Sequence, residues 1–167
     1  VLLAKPLAVK FGKKNAFMGA MLIASVFSLI FYWVDPNAIG IIFGLNIVIG
    51  LSAGVVLPLI WSMYADIADY SEYKTGRRAT GLVFSSSSMS QKMGWTLGGA
   101  ITGWLLAIYG FEANAEQTTE SLKGIRMLIS IYPAAGAFLS ALILFGYKHS
   151  ASFMARVTTE LETRRPE

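Results

Sequence analysis

The sequence contains no cysteine, and this absence removes several classes of chemistry. Disulfide bonds, thiolate metal sites and thiol-based catalysis all need a cysteine side chain, so this chain supplies none of them. The absence does not indicate a cellular compartment, because membrane proteins need no disulfide.

Charged residues are also scarce. They make up 14% of the 167 residues, whereas hydrophobic residues make up 54% and the mean hydropathy is +0.55. A typical soluble domain carries about 25% charged residues. So few polar side chains cannot cover a compact water-facing surface, and the long uncharged runs suit membrane-spanning helices. We therefore expect an all-α membrane protein.

The apolar runs predict the number of spans. The chain begins with Val1 inside such a run, without an initiator methionine or the layout of a signal peptide, so we interpret it as a C-terminal fragment. We expect four transmembrane helices plus the end of a fifth in a bundle over 1–147, and a cytoplasmic tail over 148–167. The predicted spans lie at 1–9 (the end of a helix), 16–34, 38–64, 81–109 and 125–147.

The basic residues are distributed unevenly between the two ends of these spans. Lys123 and Arg126 fall at one end, whereas most others fall at the opposite end, namely Lys5, Lys10, Lys13, Lys14, Lys74, Arg77, Arg78, Lys148, Arg156, Arg164 and Arg165. Basic residues accumulate on the cytoplasmic side, so we place the 74–78 turn and the C-terminus in the cytoplasm and the protein in the cell (inner) membrane. The net charge of +4 then favours contact with the lipid bilayer, and we expect no nucleic-acid partner.

One lysine, Lys92, lies near the middle of the 81–109 run. A charge at that depth costs about 2.5–3.5 kcal/mol on insertion scales and usually faces a wet cavity or a partner. Residues three or four positions away share its helix face. That face carries Ser85, Ser88, Trp95, Thr96 and Gly99, with Ser87 and Gln91 on the adjoining stripe.

Hydroxyls, an amide and an ammonium on one face suit a polyhydroxylated ligand, and a tryptophan offers a flat surface to a sugar ring. The predicted substrate-binding residues are Lys92, Ser88, Gln91, Ser87, Trp61 and Trp95. A structural alternative stays open, in which the serines only permit close helix packing and Lys92 pairs with an acid elsewhere.

Three acids precede the basic turn. Asp66, Asp69 and Glu72 are three residues apart, so they share one helix face, and Arg77 and Arg78 follow within reach. Carboxylates near a helix C-terminus oppose its dipole and favour basic partners. Two interpretations stay open: a solvated, locally neutralised loop, or a cytoplasmic gate whose ion pairs break in one conformation.

These residues carry a resemblance to a known family. ADIADYSEYKTGRR, residues 65–78, followed by a serine-rich span with a lysine 26 residues after Asp66, closely resembles the glycoside–pentoside–hexuronide:cation symporters of the major facilitator superfamily. The resemblance implies that the chain is the end of span eight and spans nine to twelve of a twelve-helix fold. It also implies a sugar-contacting lysine at Lys92, with Ser87, Ser88 and Gln91 as its helix neighbours.

The same resemblance implies the partners. They are a sugar or glycoside, a coupling cation (Na⁺ or H⁺) and the N-terminal half of the same protein. The cation-binding carboxylates of the family lie in that half. We therefore expect neither a cofactor nor a metal site in this chain. We therefore expect a symporter working by alternating access rather than an enzyme. The alternatives are a transporter of another substrate such as a lipid, a sugar sensor, and an intramembrane hydrolase with Ser88 as nucleophile and Lys92 as base.

Overall fold

The computed structural model describes residues 3–147 and 151–164, and within these ranges it contains helices and no strand. The all-α prediction is therefore confirmed. The helices are α1 (Ala4–Phe11), α2 (Lys13–Ile30), α3 (Ile39–Thr75), α4 (Thr80–Ile108), α5 (Thr119–Ile129), α6 (Ile131–Leu144) and α7 (Ala151–Arg164), with a 3₁₀ turn at Phe31–Trp33 after α2.

The core lies between α2 and its two neighbours, α3 and α6. Ala16, Phe17 and Ala20 of α2 are buried against apolar side chains of α3, including Val55 and Leu59. On its other side α2 contacts α6, where the buried Ser25 hydroxyl donates a 2.8 Å hydrogen bond to the carbonyl oxygen of Ala134. Small side chains let membrane helices approach closely, so α2, α3 and α6 form the packed centre of the chain.

The turn before α2 is tighter than the predicted loop over Lys10–Lys14. Helix α1 continues to Phe11 and α2 begins at Lys13, so a single glycine, Gly12, reverses the chain with φ 81°. Only glycine adopts that conformation without strain. Lys13 and Lys14 consequently stand on the first turn of α2.

Helix α3 is longer than the predicted span at 38–64. It runs for 37 residues through Pro58 and the acidic positions and ends at Gly76, which has φ 69°. At 1.5 Å per residue the helix is about 55 Å long, well beyond the roughly 30 Å hydrocarbon thickness. Charged residues do not stop a helix, whereas a left-handed glycine does, so the acids lie on a helical extension.

The predicted span at 125–147 is interrupted. Helix α5 starts earlier, at Thr119, where the Thr118 side chain accepts from the backbone N–H of Ser121, and it ends at Ile129. The fully buried Ser130, with φ −122° and ψ −72°, separates it from α6. Pro133 has no N–H to donate to the carbonyl of Ile129, so the break sits one turn before it.

Three of the described segments are long and apolar enough to cross a membrane, namely Lys13–Trp33, Ile39–Thr75 and Thr119–Leu144. Helix α4, which matches the predicted span at 81–109, has 29 residues and sufficient length but is more polar than these three. A helix of this length with a polar side is suited to line a cavity rather than to face lipid on all sides.

The predicted tail contains helix α7. Its apolar residues Met154, Val157 and Leu161 are buried against Tyr70 and Tyr73 of the α3 extension. An apolar residue every three or four positions gives this helix its packing face. Lys148, His149 and Arg165 of the predicted tail lie outside the described residues.

We expect Gly124→Ala to destabilise the contact between α4 and α5. A Cβ atom at Gly124 would overlap the Tyr109 side chain, whereas a Cβ at Gly136 of α6 would have no atom within 4 Å. Overpacking of this kind costs about 1–3 kcal/mol, so the thermal midpoint of the purified full-length protein should fall for Gly124→Ala. The matched Gly136→Ala variant should unfold at or above the wild-type midpoint, and equal midpoints for both variants would contradict the contact.

Candidate functional site

Helix α4 packs against α3 along one edge, and its C-terminal end contacts α5. None of its residues is buried, and its half-buried residues Val83, Phe84, Ser87, Ser88 and Gln91 recur at helical spacing. Phe84 lies against Trp61 of α3, with ring centroids 6.0 Å apart, so this edge faces α3. The opposite side of α4 is exposed and carries Lys92 at its border.

A shallow groove of about 600 Å³ runs along this exposed side. We call it the Lys92 groove, and its lining residues are Ser85, Ser88, Met89, Lys92, Met93, Thr96 and Leu97. At 100° per residue the serines, the lysine and the threonine form a polar stripe, and the methionines and the leucine form an apolar stripe beside it. The groove therefore offers hydrogen-bonding groups and an apolar strip to the same ligand.

The hydrogen-bonding groups of the Lys92 groove differ in what remains available. Ser85 and Thr96 donate their hydroxyl protons to backbone carbonyls of α4, at 3.1 and 3.0 Å, so their oxygens remain as acceptors. Within residues 3–147 and 151–164, neither the Ser88 hydroxyl nor the Lys92 ammonium has a hydrogen-bond partner. The groove thus presents both donors and acceptors, as recognition of a polyol requires.

The other predicted substrate-binding residues do not line this groove. Ser87 and Gln91 are half-buried on the edge toward α3, and the Ser87 hydroxyl donates to the carbonyl oxygen of Val83 at 2.8 Å. The Trp95 side chain is 73% exposed and lies outside the groove lining. Trp61 lies against Phe84. The resemblance gave Ser87 and Gln91 on family grounds, and the structure places both away from the groove.

Met89, Met93 and Leu97 are lining residues that the sequence interpretation did not include. They occur at four-residue spacing beside the polar stripe, which is the signal that identifies a helix face. They are apolar, so they do not belong to the set of hydrogen-bonding and aromatic side chains that the sequence predicted for the site.

A second set of polar residues meets where the first turn of α2 contacts the α3 extension. The Lys13 ammonium lies 2.7 Å from both carboxylate oxygens of Asp66, and the two side chains are 36% and 16% exposed. This ion pair joins the first turn of α2 to the α3 extension. The expected partners of Asp66 were Arg77 and Arg78, so the partner of this acid is corrected to Lys13, which lies 53 positions away.

Lys14 holds the end of α6. Its ammonium donates to the carbonyl oxygens of Phe145 and Tyr147, at 3.0 and 2.7 Å. A cation is favourable at the carbonyl end of a helix. Burial, together with the nearby Asp66 carboxylate, raises the pKa of Tyr147 to about 12, so this phenol stays neutral at physiological pH. Lys13 and Lys14 therefore join the first turn of α2 to α3 and to the end of α6. We call this region, formed by Lys13, Lys14, Asp66 and residues 145–147, the basic end.

The remaining predicted gate residues lie along the same extension. Asp69 and Glu72 are half-buried one and two turns beyond Asp66, and both interact with other groups, whereas Arg77 and Arg78 are exposed after the helix ends. Within the described parts of the chain neither arginine forms an ion pair with an acid. The gate role of these residues stays a prediction.

Several known proteins are similar to this chain over most of its length. The chain is 30% identical over 159 residues to a glucuronide carrier protein homolog of Escherichia coli, an alignment that covers 95% of this chain and 35% of that protein. It is 36% identical over 134 residues to a putative glycoside/cation symporter of the same organism, covering 78% of this chain and 29% of that protein.

An isoprimeverose transporter of Lactiplantibacillus pentosus is 40% identical over 143 residues, covering 84% of this chain and 30% of that protein. The chain thus spans about a third of the length of these relatives. No solved structure matches it significantly.

A family profile described as MFS/sugar transport protein matches residues 1–150. This match and the names of the relatives confirm the resemblance based on residues 65–78 and Lys92. The chain belongs to the MFS/sugar transport protein family.

Proposed function

We propose that the chain is the C-terminal part of a cation-coupled sugar or glycoside symporter that works by alternating access. It would pair with an N-terminal half, and the substrate would bind near the membrane midplane between the two halves. The proposal is supported by family membership and by relatives named as a glycoside/cation symporter and an isoprimeverose transporter.

The observation that carries the proposal is the Lys92 groove. An ammonium on a membrane helix is costly unless a hydrophilic group meets it, and Lys92 stands in line with the hydroxyl groups of the polar stripe. Lys92 and Ser88 would donate to sugar hydroxyls, while Ser85 and Thr96 would accept from them. Met89 and Met93 would cover the apolar face of the ring.

We assign the remaining predicted substrate residues, Ser87, Gln91, Trp95 and Trp61, to the border of this site. Ser87 and Gln91 would approach the sugar if α4 turned about its axis during the transport cycle. Trp95 would cover the ligand from the opposite side of Lys92. Such assignments predict smaller losses of affinity for these residues than for Lys92.

We assign the basic end to a cytoplasmic gate. The Lys13–Asp66 ion pair, with Asp69, Glu72, Arg77 and Arg78 nearby, supports this role because a partly exposed pair forms and breaks at modest cost. In this proposal the protein lies in the inner membrane, and the basic end and the C-terminus face the cytoplasm. The coupling cation, Na⁺ or H⁺, would bind in the N-terminal half, and no cofactor takes part.

Transport by the full-length protein tests the proposal. Cells that express it should accumulate labelled isoprimeverose or a labelled phenyl glucuronide, and collapse of the Na⁺ and H⁺ gradients should abolish accumulation. A set of other glycosides extends the panel. Failure to accumulate any glycoside, with the protein present in the membrane, contradicts the proposal, as would accumulation that is independent of both gradients.

The same assay separates the alternatives. A hydrolase would release product from a glycoside at a rate that does not depend on an ion gradient. Within residues 3–147 and 151–164, no hydrogen bond joins the Ser88 hydroxyl to the Lys92 nitrogen, whereas a nucleophile and its base are normally within that reach. A sensor would bind sugar without accumulating it, and a lipid transporter would leave every glycoside outside.

A further inference from the structure

Three aromatic rings join α3 to α4 next to the Lys92 groove. The Trp61 and Phe84 rings are stacked, with centroids 6.0 Å apart and planes 14° from parallel. Tyr64 meets Trp61 edge-on at 5.8 Å and Phe84 edge-on at 6.5 Å. We call these three residues the ring cluster. Stacked and edge-on pairs at such distances stabilise a contact beyond simple area burial.

In the part of the chain that the structure describes, helix α4 has two attachments: the ring cluster joins its N-terminal half to α3, and its C-terminal end at Tyr109 contacts α5. The hydroxyls of Ser85, Ser87, Thr96 and Thr102 all donate to carbonyl oxygens of α4 itself. Within the described residues no side-chain hydrogen bond connects α4 to α3, and no α4 residue is buried. The ring cluster is therefore the attachment nearest the Lys92 groove, and it sets the orientation of the part of α4 that carries the groove.

The position of Phe84 links this attachment to the groove. Phe84, Ser88 and Lys92 stand four residues apart on successive turns of one helix, so about 12 Å of regular helix separates the ring from the lysine. A helix turns as a unit over this distance. Loss of the stack would consequently rotate or tilt the Ser88 and Lys92 side chains away from their ligand.

We propose that Trp61, Tyr64 and Phe84 are positioning residues that hold the Lys92 groove in its substrate-binding orientation. This inference rests on the proposed transport function. It gives Trp61 a different role from direct stacking on a sugar, because Trp61 does not line the groove and one face of its indole is covered by Phe84. The ring cluster acts on the sugar only through α4.

A double-mutant cycle in the full-length transporter tests the proposal. Trp61→Leu and Phe84→Leu should each raise KM for isoprimeverose, or for a phenyl glucuronide if that is the sugar accumulated, by about 2- to 10-fold, the range of an aromatic pair. The double variant should be no worse than either single variant, because both remove the same contact. Phe84→Tyr, which keeps a stacking ring, should restore the wild-type KM.

Trp104→Leu is the matched control, since Trp104 lies on α4, is 67% exposed and is outside the groove lining. The KM of this variant should equal that of the wild type. Additive losses, or a loss for Trp61→Leu without one for Phe84→Leu, would indicate direct sugar contact by Trp61 and overturn the proposal. A fall in protein level with unchanged KM would also overturn it. If Lys92→Val leaves uptake intact, the proposed function itself fails, which is a separate result.

Discussion

Replacement of Lys92 by valine is expected to abolish sugar accumulation by the full-length transporter. The substitution removes the cation at the centre of the polar stripe in the Lys92 groove, which in the proposed function donates hydrogen bonds to the sugar. Hydrogen bonds that involve a charged group contribute about 1.5–3 kcal/mol each, so losing two of them lowers sugar affinity by at least about 100-fold. Equilibrium binding of labelled sugar to membranes measures this loss directly.

Two variants on the same helix serve as controls for the Lys92 result. Ser90→Ala removes a polar group from α4 outside the groove lining and should bind sugar as the wild type does. Lys92→Arg keeps the charge but changes the shape of the donor, so it should retain part of the affinity. If the valine variant accumulates sugar normally, Lys92 has no role in binding.

Reversal of either charge in the Lys13–Asp66 ion pair is expected to impair transport, and reversal of both should restore it. The pair is neither buried nor fully exposed, so loss of one partner costs more than at a surface pair and less than at a buried pair, about 1–2 kcal/mol. Lys13→Asp or Asp66→Lys should lower the uptake rate by about 5- to 30-fold. In the double variant the pair forms again with opposite polarity.

The uptake rate per transporter in the membrane is the appropriate measurement for this exchange. Lys5→Asp reverses an exposed charge at a position for which the structure gives no ion pair, and it should leave the rate unchanged. A double variant that stays as slow as the single variants would indicate that Lys13 and Asp66 act separately rather than as a pair.

Patterns that repeat along one helix could be predicted from the sequence. The helices and the polar stripe on α4 follow from apolar runs and from residues spaced three or four apart, because such residues share a face whatever surrounds them. The position of the acids relative to Lys92 also sufficed to identify the family. The helix ends were not predicted in this way, because the predicted span over 38–64 stops short of Gly76 and the predicted loop over Lys10–Lys14 is longer than the turn at Gly12.

Contacts between distant parts of the chain could not be predicted in the same way. Lys13 and Asp66 are 53 positions apart, and the nearer arginines gave an equally reasonable local partner. The break at Ser130 depends on where the missing N–H of Pro133 falls in the helix that follows. The stack of Phe84 on Trp61 depends on how α4 leans on α3, and local spacing does not encode it.

The central claim is that the Lys92 side of α4 faces a hydrophilic, substrate-accessible space, and cysteine modification tests it most directly. This chain has no cysteine, so Thr96→Cys in a full-length protein otherwise free of cysteines puts one thiol in the Lys92 groove. A hydrophilic maleimide should modify it far faster than Ile143→Cys on the exposed apolar side of α6, and isoprimeverose, or the glycoside that the protein accumulates, should slow the reaction. A thiol at position 96 that reacts no faster than the one at 143, with or without sugar, would place Lys92 against lipid and contradict the account.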